Sequence, residues 1–420
     1  MKLRLYNGKI LTMQQGSELI DGEVWVEDGK ISYIGLEKAG ERFSREIDLE
    51  GDLVMPSFKN THTHSAMTFL RSYADDLPLQ QWLSESIFPM EAQLKEQDVY
   101  DLARLAFLEY LTSGITACMD MYFFPHAMAK AAADCSFRTV MVGAVNDFSE
   151  SVELLEQYYN QYHCYSPFVS YELGFHAEYT TAKKTMEQIA ALSQKYKAPV
   201  FTHSSETELE VQECIGRYGV TPTALFEQLG LMEHGGGIYH GVWLSEEDLQ
   251  RLARKKFWVI TNPASNAKLA SGIAPLQALL AHKIPVALGT DGPASNNALD
   301  MFREMYLAAV LAKLREKDAQ AVPAEDILQM ATVGGARVMG LADCDCLVPG
   351  KQADLIVVTL QKPNMQPVND IIKNVVYSGT KDNVVLTMVG GKILYENGRF
   401  PYFDAKEIYT KANRIIERMR

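Results

Sequence analysis

Cysteine is scarce in this chain of 420 residues: six in all, at positions 118, 135, 164, 214, 344 and 346. So scattered a set suggests no disulfide framework, and Cys344-Asp345-Cys346, with no second pair nearby, reads as reduced thiols in a loop rather than a metal site. Positive charge is short as well. The 40 basic side chains against 53 acidic ones leave a net charge of −13, which argues against a nucleic-acid or anionic-membrane surface. No uninterrupted apolar run reaches the ~20 residues that span a bilayer. The opening Met1-Lys2-Leu3-Arg4-Leu5-Tyr6-Asn7-Gly8 lacks the apolar core of a signal peptide, so a cytoplasmic location is expected. There is no short-period repeat and no low-complexity tract. What remains is ordinary for a soluble globular protein, with 47% hydrophobic and 22% charged residues. The length suits a barrel domain plus a smaller one.

Both ends of the chain read as short strands. Glu23-Val24-Trp25-Val26 and Lys30-Ile31-Ser32-Tyr33-Ile34 flank the hairpin signal Asp28-Gly29. Asp354 to Val358 is a strand, and Val384–Val389 pairs with Lys392–Tyr395 across Gly390-Gly391. These ends, residues 1–54 and 345–420, are expected to form one small β-sandwich domain. Between them, residues 55–344 alternate strands and helices. Asp98 reads as the N-cap of a helix carrying Leu102, Leu105, Leu108 and Leu111, and Ser245 with Asp248 as a capping box. Strands are expected near 53–58, 115–121, 137–145, 167–175, 198–202, 236–239, 257–261 and 284–289. Eight strands separated by helices imply parallel pairing and an α/β fold, a closed (β/α)8 barrel of TIM type.

In such a barrel chemistry sits at the C-terminal ends of the strands. There the sequence places His62 and His64 at the end of strand one, His176 after strand four, and His203, His240 and Asp291 at the ends of strands five, six and eight. Side chains two apart on a strand share a side, so His62 and His64 can aim at one point. Three neutral imidazoles, His62, His64 and His203, with the anionic oxygen of Asp291 suit one divalent cation, Zn²⁺ first, while Fe²⁺ and Mn²⁺ suit the same donors. Such an ion brings the pKa of a bound water from 15.7 to roughly 7. Asp291 can take the water's proton and Glu206 can hand one to a substrate. His240, if not a ligand, can stabilise charge at the attacked centre.

The motifs that carry these residues are Met55-Pro56-Ser57-Phe58-Lys59-Asn60-Thr61-His62-Thr63-His64, then Asp76-Leu77 up to Trp82-Leu83, and His203-Ser204-Ser205-Glu206-Thr207. Asn262-Pro263-Ala264-Ser265-Asn266 and Gly289-Thr290-Asp291-Gly292-Pro293-Ala294-Ser295-Asn296-Asn297 complete the set. As a set they resemble the amidohydrolase superfamily, in its cytosine-deaminase-like and chlorohydrolase-like branch. Within it the chain is most similar to the 5-methylthioadenosine/S-adenosylhomocysteine deaminases. The resemblance implies one metal held at His62, His64, His203 and Asp291, a proton shuttle at Glu206 and a catalytic histidine at His240. It also implies Trp82 against the nucleoside, Glu91 on ribose hydroxyls, His176 on the substrate, and a homo-oligomer. Binuclear relatives use a carboxylated lysine after strand four, and Phe168 to His176 contains none. The stretch Val140 to Glu150 holds no arginine and two acids, Asp147 and Glu150, so nothing there meets the carboxylate of S-adenosylhomocysteine.

The implied reaction is hydrolytic deamination of a small-molecule adenine nucleoside (methylthioadenosine, 5′-deoxyadenosine or adenosine, S-adenosylhomocysteine less so) to the inosine analogue and ammonia. The nearest alternative is deamination or dechlorination of another ring, such as guanine, a pterin or a triazine. A metal-free scaffold fits poorly with a complete set of ligand-type residues. A nucleic-acid base deaminase fits worse, because the H-x-E with P-C-x-x-C signature is absent.

Overall fold

The computed structural model describes residues 2–16 and 18–419. Its centre is an eight-stranded parallel sheet: Phe58–Thr63, Ile115–Met121, Arg138–Val142, Val169–Ala177, Val200–Ser204, Gly236–His240, Trp258–Thr261 and Val286–Leu288, each paired with the next. Buried on both faces, most of these strands run apolar with little alternation, as parallel strands covered by helices do, while Phe58–Thr63 buries the polar Lys59, Asn60 and His62. The first and eighth are joined by single bonds rather than a full ladder. The Asp291 amide donates to the His62 carbonyl at 2.9 Å, and the Thr61 hydroxyl to the Leu288 carbonyl at 2.7 Å. The Asn60 side chain brackets Thr290, accepting from its amide at 2.9 Å and donating to its hydroxyl at 2.7 Å. The barrel is thus closed by the same residues that carry the first-strand histidines and the eighth-strand aspartate.

Three expectations shift. Leu53–Pro56 does not belong to the barrel. It pairs antiparallel with Leu355–Val358 and parallel with Lys9 and Ile10, and barrel strand one starts only at Phe58. His176 lies inside strand four, not after it. The helix Glu96–Thr112 is capped at Lys95, and Asp98 sits three residues on, its carboxylate accepting from the Lys95 amide at 2.8 Å. The acid at the first turn is favourable there whichever residue caps.

The terminal strands form a second, mixed sheet in the order Lys392–Glu396, Val384–Val389, Leu355–Val358, Leu53–Pro56, Lys2–Ile10, Ile20–Glu27 and Lys30–Gly35, with Arg45–Asp48 also on Lys2–Ile10. Leu3, Leu5, Val24, Val54, Leu355 and Met388 from both ends of the chain share one core. A buried ion pair ties this sheet to the barrel. Arg138, at the start of barrel strand three, grips Asp354 through Nε at 2.7 Å and Nη2 at 2.9 Å. The last helix, Ala405–Met419, leaves the sheet and packs on the barrel helix Glu96–Thr112, where Arg418 meets Asp98 at 2.6 Å. Among the described residues no helix is long and apolar enough to cross a membrane.

Candidate active site

The strand ends bring His62, His64, His203, His240 and Asp291 to one point at the C-terminal mouth of the barrel. Asp291 Oδ1 lies 3.5 Å from His62 Nε2 and 3.3 Å from His64 Nε2. His62, His203 and His240 also present nitrogens within 4.8 Å of one another. Three of the rings, those of His64, His203 and His240, are aimed by a bond on the far side, while His62 is held by stacking on Tyr239. His64 Nδ1 donates to the Met121 carbonyl and His203 Nδ1 to the His176 carbonyl, both at 2.6 Å. With Nδ1 holding the proton, Nε2 is left as the lone-pair donor. Gly289 makes the approach of strand eight possible: a Cβ there would sit 2.8 Å from the His62 amide nitrogen. Asp291 and His240 adopt left-handed backbone angles, φ +59° and +72°, a conformation unusual outside glycine and concentrated at functional sites.

The electrostatics favour a cation. Burial pushes His62 down to about 3 and His176 to about 4, and it holds His203 well below its ordinary value, so these rings are neutral. Burial also opposes charge on Asp291, but the close approach of the His62 and His64 rings outweighs it and holds the carboxyl well below its ordinary range. Its Oδ2 accepts from the Ser265 hydroxyl and from the Ser295 hydroxyl at 2.7 Å, and Oδ1 from the Gly292 amide at 2.7 Å. Against the same burial, this carboxylate lifts His64 to about 9. A fixed anion thus stands beside the neutral rings of His62 and His203, and a cation bound there would take the place of the proton on His64 Nε2. Both ring nitrogens of His62 are buried without a hydrogen-bond partner, a condition a metal bond to Nε2 relieves. The donor set fits a divalent cation.

Glu206 stands on the other side of His240, its Oε2 3.8 Å from His240 Nε2. Oε1 accepts from the Ser271 hydroxyl at 3.1 Å, and burial raises its pKa. Glu210 fixes the backbone beneath it, accepting from the Ser205 amide at 2.7 Å and the Glu206 amide at 2.8 Å. His240 is held through Nδ1, which lies 2.7 Å from Asn266 Oδ1. Asn262 Nδ2 also approaches it, at 3.4 Å. The shorter contact sets the tautomer: Nδ1 donates to Asn266. Neither Asn266 nor Ser271 stands out in the sequence as a site residue. Asn266 closes the N-P-A-S-N run, and a polar helix start directly after a barrel strand is the signal that points to it. Replacing Asn266 by Ala is expected to lower kcat roughly 10- to 100-fold with the metal content unchanged, the range seen when an outer hydrogen-bond partner is lost. Steady-state rates beside elemental analysis check this.

A cavity of about 740 Å³ opens over the cluster, within the size of small-molecule sites. Trp82, Leu83, Phe88, Tyr122 and Tyr179 line it. Trp82 is 6% exposed, packed with Leu83 and Met90 beneath and facing the cavity above. Glu91 accepts from the Tyr122 hydroxyl at 2.6 Å and is pushed up to about 7 by burial. His176 Nδ1 lies 2.9 Å from the Thr180 hydroxyl, whose own proton goes to the Ala177 carbonyl at 3.2 Å. His176 Nδ1 is therefore the donor, and Nε2 carries a lone pair. Four carboxylates, Glu91, Glu150, Glu206 and Asp291, line the cavity, and among the described residues no lysine or arginine does.

The sequence model of the amidohydrolase family matches residues 53–394. The chain belongs to the amidohydrolase family. A 5-methylthioadenosine/S-adenosylhomocysteine deaminase of Syntrophomonas wolfei is 37% identical over 428 aligned residues, covering 100% of this chain and 99% of that protein. A 5′-deoxyadenosine deaminase of Methanosarcina acetivorans is 38% identical over 421, covering 98% of this chain and 97% of its own. Among solved structures, an adenosine deaminase from Xanthomonas campestris with bound zinc superposes with a TM-score of 0.95 at 32% identity, covering 100% of this chain and 98% of that one. As an amidohydrolase the protein is a metal-dependent enzyme, and two overlapping groups at the barrel mouth, His62 with His203 and His240 and His62 with His64 and Asp291, could hold an ion.

Proposed function

We propose that this amidohydrolase deaminates adenine nucleosides, converting adenosine, 5′-deoxyadenosine or 5-methylthioadenosine to the inosine analogue and ammonia. One observation carries the reading: a buried carboxylate with one free oxygen, Glu206, faces His240 beside a His/Asp cluster under an aromatic cavity. The names of the Syntrophomonas, Methanosarcina and Xanthomonas relatives support it. His62, His64, His203 and Asp291 would hold the cation, taken as Zn²⁺ by likeness to the zinc-bound structure. Bound there, the ion supplies Lewis acidity and a water of lowered pKa.

The chain's own residues do the rest. The water oxygen adds to C6 of the purine while Asp291 Oδ1 accepts its proton. Glu206, its pKa raised by burial, delivers a proton to the adjacent ring nitrogen, N1. His240 Nε2, its ring locked by Asn266, faces the oxygen that has added. Ammonia departs with the proton from Asp291, the hydroxyl formed at C6 returns its proton to Glu206 as the carbonyl forms, and the product is the inosine analogue. Trp82 stacks on the nucleoside, His176 Nε2 accepts a hydrogen bond from it, and Glu91 accepts from the ribose hydroxyls. Among the described residues no lysine or arginine lines the cavity wall to meet an amino-acid carboxylate, which disfavours S-adenosylhomocysteine. The same reading makes the protein a cytoplasmic homo-oligomer.

Ammonia release by zinc-loaded protein tests the reaction, with adenosine, 5′-deoxyadenosine, methylthioadenosine, S-adenosylhomocysteine, guanine and cytosine compared. Turnover confined to guanine or cytosine would transfer the chemistry to another ring. A second test uses pH. Glu91 ionises near 7, so kcat/KM for adenosine should climb severalfold from pH 6 to 8, and Glu91→Gln should flatten that limb.

A further inference from the structure

Of the four carboxylates in the cavity wall, Asp291 and Glu206 serve the reaction and Glu91 is held by Tyr122. Glu150 is left over. It follows barrel strand three in a loop folded back on itself: Asn146 and Glu150 form an antiparallel bridge, and Asn146 Oδ1 accepts from the Phe148 and Ser149 amides, both at 2.9 Å. Such a turn presents its last residue rigidly. The carboxylate is met by one weak donor, the Ala144 amide at 3.3 Å. Two phenols stand near it, Tyr158 in the cavity wall and Tyr171, whose buried hydroxyl has no partner. Among the described residues no basic side chain pairs with it, and burial lifts its pKa to about 7. A carboxylate so placed is stabilised by a charge-assisted donor brought in by the ligand.

Resting on the adenine-nucleoside reading, we propose that Glu150 is a specificity residue that favours nucleosides carrying a protonated amine on the 5′ side. With the metal cluster and Glu206 on the base, Trp82 against the nucleoside and Glu91 on the ribose, the wall left for the 5′ substituent is the one after barrel strand three, Ala144, Asn146 and Glu150, with Tyr158 from the helix that follows. There Glu150 pairs with the ammonium and repels a carboxylate at the same place.

The test compares two substrates of matched length, 5′-(3-aminopropylthio)-5′-deoxyadenosine and 5′-butylthio-5′-deoxyadenosine, with adenosine alongside, on the zinc-loaded enzyme. The wild type is expected to favour the amine in kcat/KM by about tenfold or more, and Glu150→Gln to reduce that ratio about tenfold. The wild-type ratio needs no variant to fold. A ratio near one, or one unchanged in Glu150→Gln, overturns the assignment while adenosine turnover keeps the deaminase reading. Absence of turnover on all three nucleosides removes both.

Discussion

Replacing Glu206 by Gln is expected to reduce kcat for adenosine by about a thousandfold while metal content stays that of the wild type. General acid catalysis by a placed side chain is worth roughly 10²–10⁴, and Glu206 is the carboxyl that stands beside His240. Asp291 is engaged by two serine hydroxyls and lies against the first-strand histidines, Glu91 is held by Tyr122, and Glu150 lies in the wall assigned to the 5′ substituent. Glutamine preserves an acceptor for the Ser271 hydroxyl, so the loop stays in place. Single-turnover rates with adenosine, together with zinc analysis, measure the effect. A loss below tenfold would show that Glu206 is not the acid.

Stripping the metal with a chelator is expected to bring activity to background and to lower Tm by several degrees, both restored by added Zn²⁺. An ion at a hundred times its Kd stabilises the fold by about 2.7 kcal/mol. The binding site is already assembled by the barrel, because the amide of Asp291 and the carbonyl of His62 join strands eight and one. His62→Ala should show the low Tm and null activity of the stripped protein and gain nothing from added Zn²⁺, since it removes the ring with two unpartnered nitrogens. Calorimetry with and without metal separates the outcomes. A stripped wild type that keeps its turnover would contradict the metal site.

The ligand-type residues were legible because they are chemically out of place: histidine and aspartate closing apolar runs at His203, His240 and Asp291 have few structural uses. The hairpin at Asp28-Gly29 and the capping box at Ser245 and Asp248 were legible from local chemistry alone. The first barrel strand was not. Leu53–Pro56 and Phe58–Thr63 are separated by Ser57, with no turn residue between them, and they part into different sheets because the former finds its partner in Leu355–Val358. No local pattern records a pairing at such separation. The same holds for Asn266 on His240 and for Tyr239 stacked 3.7 Å from the His62 ring across the barrel, contacts between residues far apart in the chain. The left-handed turns at His240 and Asp291 are hidden for another reason: they occur in residues that do not prefer them, and the surrounding bonds enforce them.

The pairing of Leu53–Pro56 with Leu355–Val358 sets a timetable for biosynthesis. Leu53–Pro56 leads through Ser57 straight into the strand that carries His62, and its antiparallel neighbour lies beyond all eight barrel strands. Long-range closures of this kind are slow, because chain entropy is lost before contacts reward it. The first barrel strand thus finds its neighbour Ile115–Met121 early in synthesis, while the sheet that anchors the segment before it is completed only after the whole barrel has been made.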